Sequence, residues 1–259
     1  MTKNNKTKTT SRKRNKSANR DRFTRWAIAI GAAVLLIVVP VLLYVVMKYR
    51  PKIVINRNEY PIVGIDISKH NGDIDFNMLV ADSLSFVIAK ATEGIDYKDP
   101  LFEHNYNEAK AAGLKVGAYH FFSMKRDGKQ QAENFIRSVK DKQLDLPLVI
   151  DVEEWDTNFV NDPTEAISQL VIMAKQLEES GYKVMIYTNK NGYKKFIQQH
   201  LSHLPLWICS FQHPQRVRGY NWTILQYSHW GEVDGIKGEV DLDVFNGDSL
   251  AWERWLQVI

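Results

Sequence analysis

The chain has a single cysteine, Cys209, in 259 residues, which excludes an intrachain disulfide. Its surroundings, "PLWICSF", are apolar and strand-like, so the thiol reads as a small buried hydrophobe. A nucleophilic cysteine needs an electropositive, polar setting that this stretch lacks. Acid is scarce at the start: residues 1–25 hold one, Asp21, against ten Lys/Arg. Of 34 Lys/Arg and 30 Asp/Glu in all, this leaves 24 and 29 in residues 26–259, a net charge of −5. The high isoelectric point therefore belongs to the tail. The remainder gives no electrostatic reason to expect nucleic-acid binding, and none is expected.

Charge of either sign is missing from residues 26–47, "WAIAIGAAVLLIVVPVLLYVVM". These 22 residues compare with roughly 20 needed to cross a bilayer as a helix. Pro40 kinks such a helix without forbidding it. Trp26 and Tyr44 lie near the ends, where amphipathic rings favour the interface. A cleaved signal peptide is the alternative, but the apolar run is long for one and no small-x-small site follows promptly. The expected organisation is a basic cytoplasmic tail (1–25), disordered over 1–22, a signal anchor (26–47) that makes the membrane a partner, a polar linker (48–60) and a catalytic unit (61–259) outside the cytoplasm, in the periplasm or at the cell surface.

From residue 61 a rhythm appears. Apolar strand-like runs occupy 61–68, 85–92, 115–122, 146–153, 182–188, 205–211, 222–228 and 239–245. Helical patterns over 99–113, 127–142, 162–181 and 191–200 lie between the earlier ones, with Asp162 read as an N-cap before Pro163. Strands that are apolar almost throughout are covered on both faces, and strand–helix alternation implies parallel pairing. Eight strands in about 200 residues, the last three closely spaced, predict an α/β fold: a small barrel related to the (β/α)₈ type with its last helices lost.

Such barrels carry their sites at the C-terminal ends of the strands. The residues there are Asp66, Tyr119 and His120, Asp151 and Glu153, Tyr187, Trp207, Gln226, and Asp241 with Asp243. Side chains two apart on a strand share a face, so Asp151 and Glu153 point the same way. Turned inward they would meet Asp66 and Asp241, and crowding would raise the pKa of at least one acid. A carboxyl that keeps its proton near neutrality is what a general acid requires. Tyrosine and tryptophan beside carboxylates suit a sugar, whose hydroxyls bind acids and whose apolar faces lie on flat rings. A solvated strand end is the bland explanation of any one acid, and Glu154, pointing opposite to Glu153, is expected to be solvated.

These residues sit within a longer pattern: "GIDISKHNGDIDF" (64–76), "FVIAKATEGIDYKDPLFEHNYNEAKAAGLKVGAYHFF" (86–122), "LPLVIDVE" (146–153), "VMIYTN" (184–189), "LWICSF" (206–211), "ILQYS" (224–228) and "VDLDVF" (240–245). The ordered set resembles the glycoside hydrolase family 25 lysozymes, muramidases of the Chalaropsis type. The resemblance implies a (β/α)₅(β)₃ barrel. It implies hydrolysis of the β-1,4 bond between N-acetylmuramic acid and N-acetylglucosamine in peptidoglycan glycan strands, with no cofactor and no metal. By motif, Glu153 becomes the proton donor and Asp151 either a base or the group that orients the substrate's acetamido group. Asp66 and Asp241 become the remaining pocket acids, and Tyr119, Tyr187, Trp207 and Gln226 line the sugar site. Two carboxyls on one strand do not fix a retaining or inverting separation, and the acetamido oxygen as internal nucleophile is a third route. The anchor and the want of a wall-binding repeat depart from simpler members and leave autolysin, remodelling and secreted-toxin roles open, with anchoring favouring local remodelling over attack on distant cells. A monomer is the expected state.

Three rivals stand beside this reading. His200 and His203 in "HLSH" offer helical spacing for a metal-dependent polysaccharide deacetylase. A family 18-type chitinase also ends a strand in Asp-x-Glu, but carries more alternating acids. A wall-binding barrel without catalysis would not need the acids. A serine hydrolase lacks its strained nucleophile turn, despite "SKH" at 68–70.

Overall fold

The structure is a computed structural model that describes residues 7–48 and 52–259. It divides into two units, with the boundary between Lys52 and Ile53. Residues 1–6 of the expected tail and 49–51 of the expected linker lie outside the described residues.

The first unit is one helix, α1 (Thr7–Lys48). Its stretch Phe23–Val45 has a mean hydropathy of 2.9 and is long and apolar enough to cross a membrane. Large apolar side chains along it, Ile28, Leu36 and Leu42 among them, are exposed. The helix begins at Thr7, which corrects the expectation of disorder for residues 7–22. Lysine and arginine are good helix formers, and extending an existing helix avoids the cost of a new nucleus.

The second unit is a closed barrel. Its strands are β1 (Val63–Ile67), β2 (Phe86–Glu93), β4 (Lys115–Phe121), β5 (Leu148–Asp151), β6 (Val184–Asn189), β7 (Leu206–Cys209), β8 (Ile224–Gly231) and β9 (Val240–Phe245). A two-residue strand, β3 (Tyr97–Lys98), turns back on the end of β2. The order β1-β9-β8-β7-β6-β5-β4-β2 closes through β1–β2. Seven barrel strands pair in parallel, and β9 runs antiparallel to both β8 and β1. The reversal follows from chain length: only eight residues separate β8 from β9, too few for a crossover and enough for a hairpin.

Helices α3 (Phe102–Ala111), α4 (Gly128–Val139) and α5 (Thr164–Glu179) follow β3, β4 and β5. With the short α2 (Phe76–Ala81) they cover the outer face with Leu79, Phe102, Phe135 and Leu170, all fully buried. Aspartates start several of them: Asp75 accepts from Asn77 and Met78 N–H, and Asp127 from Gln130 N–H. At α5 the cap is Pro163 rather than Asp162, although the Asp162 carboxylate still accepts the Thr164 N–H at 3.0 Å. The helix expected over 191–200 is a short turn, α6 (Lys190–Gly192), running into a π-helical stretch, Tyr193–Ile197.

Within the barrel unit, residues 53–259, no long helix follows β7 or β8. There Ile55, Tyr60, Val217 and Trp222 bury Ile208, Leu225 and Val244. Residues 53–60 are thus part of the barrel unit rather than a linker. Inside the barrel, Phe86, Val149, Met185 and Ile224 form a packed centre. Its base is closed by α7 (Ser249–Val258), whose Trp252 sits 5.4 Å from Phe86 and 5.0 Å from Phe245 between ring centroids.

Candidate active site

With its centre and base filled, the barrel has free space at the end where the parallel strands finish. A cavity of about 890 Å³ opens there. It is lined by all eight expected residues: Asp66, Tyr119, Asp151, Glu153, Tyr187, Trp207, Gln226 and Asp241.

Alternation explains why. In β4, Tyr119 faces in, so His120 faces out, where burial pushes its imidazole down to about 3. His120 is held in the helix layer between Thr92 Oγ1 (2.8 Å) and Gln131 Oε1 (3.2 Å). Since Gln131 Oε1 also accepts the Ser123 N–H, His120 Nε2 donates and Nδ1 accepts from the threonine. In β5, Asp151 is the last strand residue and is 7% exposed. Val152 N–H still donates to Tyr187 O, and Thr188 Oγ1 donates to Val152 O, so the backbone stays extended and Glu153 returns to the cavity face. Asp241 arrives differently. On the reversed strand β9 the residues at this end come first, and Asp241 pairs directly opposite Asp66.

The polar groups form a chain. Tyr187 OH donates to Gln226 Oε1 at 2.8 Å, and Gln226 Nε2 donates to Asp66 Oδ2 at 2.8 Å. One layer deeper, Trp207 Nε1 donates to Asp243 Oδ1 at 2.8 Å. Asp243 is fully buried, and its Oδ2 and Asp151 Oδ1 have no hydrogen-bond partner among the described residues.

Charge is scarce in compensation. Asp66, Asp151, Glu153, Asp241 and Asp243 form no ion pair among the described residues. Burial, then Asp241 and Asp243, holds Asp66 well above the usual carboxylate range. Burial and Glu153 do the same to Asp151, with the Lys90 cation opposing them. Glu153 is raised to about 7 by burial and then by Asp241, and Asp241 to about 6 by burial. The cluster therefore retains protons at neutral pH. Burial also pushes the Cys209 thiol up, away from thiolate chemistry.

Sequence reasoning passed over several residues. Lys90 follows the inward-facing Phe86 and Ile88 at period two, and a lone charge in an apolar strand was the available signal. Trp155, Phe211 and His229 rim the cavity on loops or strand ends. Glu154 is not solvated: its carboxylate meets Lys195 Nζ at 2.6 Å and accepts Val160 N–H at 3.2 Å. His200 and His203 are exposed, follow the π-helical stretch, and do not line the cavity.

Comparison with known proteins follows the same lines. The profile of Glycosyl hydrolases family 25 matches residues 65–236, about two thirds of the chain. The "Autolytic lysozyme" of Clostridium acetobutylicum is 34% identical over 187 residues, covering 72% of this chain and 56% of that protein. The chain thus spans about half of that relative's length. "Lysozyme M1" of Streptomyces globisporus is 30% identical over 202 residues, covering 73% and 69%. A solved family 25 glycosyl hydrolase from Bacillus anthracis superimposes with a TM-score of 0.72 at 34% identity, covering 80% of this chain and 97% of that one. The shared barrel and the extent of these matches lead to one conclusion: the chain belongs to glycosyl hydrolase family 25.

Proposed function

We propose that the protein is a peptidoglycan hydrolase, an N-acetylmuramidase that cleaves the β-1,4 bond between N-acetylmuramic acid and N-acetylglucosamine. Residues 26–47 would hold it in a membrane, tail inside and barrel outside the cytoplasm, which suits local wall remodelling. The observation that carries the activity is the gathering of Asp66, Asp151, Glu153 and Asp241, without ion-paired partners among the described residues, in one open cavity beside tyrosine and tryptophan rings. The lysozyme names of two relatives support the substrate class.

In this reading Glu153 is the general acid. With its carboxyl raised to about 7, it carries a proton at neutral pH and delivers it to the leaving glycosidic oxygen. Asp151 is its partner. The unpartnered Oδ1 is suited to accept the N–H of an acetamido group, holding that group beside the anomeric carbon, or to act as a base. Asp66 is fixed by Gln226, and Asp241, raised only to about 6 and so ionised at neutral pH, favours the positive charge that develops on the sugar ring.

The test is incubation of the full chain, in detergent, with purified peptidoglycan, followed by identification of the new reducing-end sugar. Muramic acid supports the reading, and glucosamine overturns the bond assignment. Glu153→Gln is expected to lose about 10²–10⁴-fold in rate. An unchanged fall in turbidity of a wall suspension would remove Glu153 from the acid role.

A further inference from the structure

The indole of Trp155 borders the acidic cavity, and it also borders a second one of about 700 Å³. The two differ in the groups that line them. The first carries Asp66, Asp151, Glu153, Glu154 and Asp241 against one cation, Lys190. The second carries Lys90, Lys125 and Arg126, with His70, against Glu93 and Asp156.

The wall between them is held in place. Trp155 is 75% exposed, yet its loop is pinned. Asn158 Oδ1 accepts Met124 N–H at 2.8 Å, and Asn158 Nδ2 donates to Phe122 O and Glu153 O, each at 2.9 Å. The turn passes through Asp156 at φ +46°, a left-handed conformation that an aspartate tolerates at some cost. A large ring presented to solvent on a braced turn is a flat apolar surface on which another ring can lie.

The cations are not equally committed. Lys90 Nζ is bound to Glu93 at 2.7 Å and lies over the Phe121 ring. Lys125 Nζ makes one bond, to Thr157 O at 3.2 Å. The Arg126 guanidinium and the His70 ring have no hydrogen-bond or ion-pair partner among the described residues. Asp127 caps α4 and forms no ion pair with Arg126 among the described residues.

We propose that this second cavity binds a carboxylate-bearing substituent of the glycan, with Trp155 as the face on which an adjoining sugar lies and Arg126 and Lys125 as the partners of the anion. The inference rests on the peptidoglycan reading. In that polymer alternate sugars carry a lactyl ether extended by peptide, an arm with free carboxylates. The acid-lined cavity offers such an arm no cation but Lys190, which is bonded to Gln212, whereas the cationic compartment beyond Trp155 draws the arm aside while the sugar ring enters. Arginine's planar fork matches a carboxylate with two parallel bonds.

The experiment uses the full chain and soluble peptidoglycan fragments freed of phosphate-bearing wall polymers. A second batch has its carboxyls converted to neutral amides with carbodiimide and ammonia. Wild type is expected to show a KM about tenfold higher on the amidated fragments. Lys125→Glu/Arg126→Glu is expected to raise KM about tenfold on native fragments and less than twofold on amidated ones, which also checks that the variant is folded. Trp155→Ala is expected to raise KM on both. Equal KM values for wild type on the two batches, or a loss in the charge-reversed variant that is the same on both, would overturn the proposal. So would a Trp155→Ala enzyme with wild-type KM. If wild type releases no reducing ends from either batch, the hydrolase reading itself fails and this one with it.

Discussion

Gln226 Nε2 donates to Asp66 Oδ2 at 2.8 Å, joining the seventh parallel strand to the first across 160 positions of sequence. The other end of the same amide accepts from Tyr187 OH. One side chain thus satisfies two buried groups, and its orientation is settled, since only nitrogen can donate to the acid and only oxygen accept from the phenol. Gln226→Leu would leave both groups unpaired in a buried setting. It is expected to cost about 2–4 kcal/mol of stability by chemical denaturation and to lower kcat/KM at least tenfold. A variant as stable and as active as wild type would mean that the chain of bonds has no role.

Asp241 is the second cause of the raised Glu153 pKa, after burial. Deprotonating Glu153 beside an anion is unfavourable, so removing that anion lets the proton leave at lower pH. The alkaline limb of the kcat profile is expected near pH 7 in wild type. In Asp241→Asn it should move toward acid by about half a pH unit, whatever the absolute rate. A limb that stays or moves toward alkali would separate the two carboxyls electrostatically.

Asp66, Asp151 and Asp243 all have folded-state pKa values raised by burial. The folded state then binds more protons than the unfolded one above the ordinary carboxylate range, so stability is greatest in mild acid and falls as pH rises. Thermal melting is expected at higher temperature at pH 5 than at pH 8. Asp243→Asn keeps an oxygen for Trp207 Nε1 and removes the charge. It should gain about 1–3 kcal/mol at pH 8 and less at pH 5. A variant that gains nothing at pH 8 would show that folding does not raise the Asp243 pKa.

Gly128 opens α4 where a Cβ would fall 1.9 Å from the Gln169 carbonyl oxygen of α5. Alanine improves helix propensity by about 1 kcal/mol, but forcing two helices apart costs about 3. Gly128→Ala is therefore expected to lower stability by about 2 kcal/mol, or Tm by about 4–8 °C for a domain of this size. A raised Tm would mean that the helices separate without loss.

Much of the barrel was legible because a strand buried on both faces has to be apolar throughout, so Phe86–Ile88 and Leu148–Ile150 stand out against the polar residues that end them. Period-two alternation then carried Asp151 and Glu153 to one face. What alternation could not give is a direction for side chains on loops. Trp155 rims the cavity only because Asn158, Asp156 and the Phe122–Met124 backbone shape its turn, and the Glu154–Lys195 pair depends on a contact 41 residues away. The packing of Ile55 and Tyr60 was hidden for a similar reason: a short polar-looking stretch gains its role because no long helix follows β7 or β8 in the barrel unit. Asp241 was found by motif and position, although it stands at the beginning of its strand.

The backward run of β9 has one more effect. Both the first stave and the last have their outer ends beside the base, where Phe245 N–H donates to Ile62 O. Both strands therefore turn their opposite ends, with Asp66 and Asp241 paired, toward the cavity. One bonded pair of strands thus sets both the floor of the barrel and two acids of its cavity.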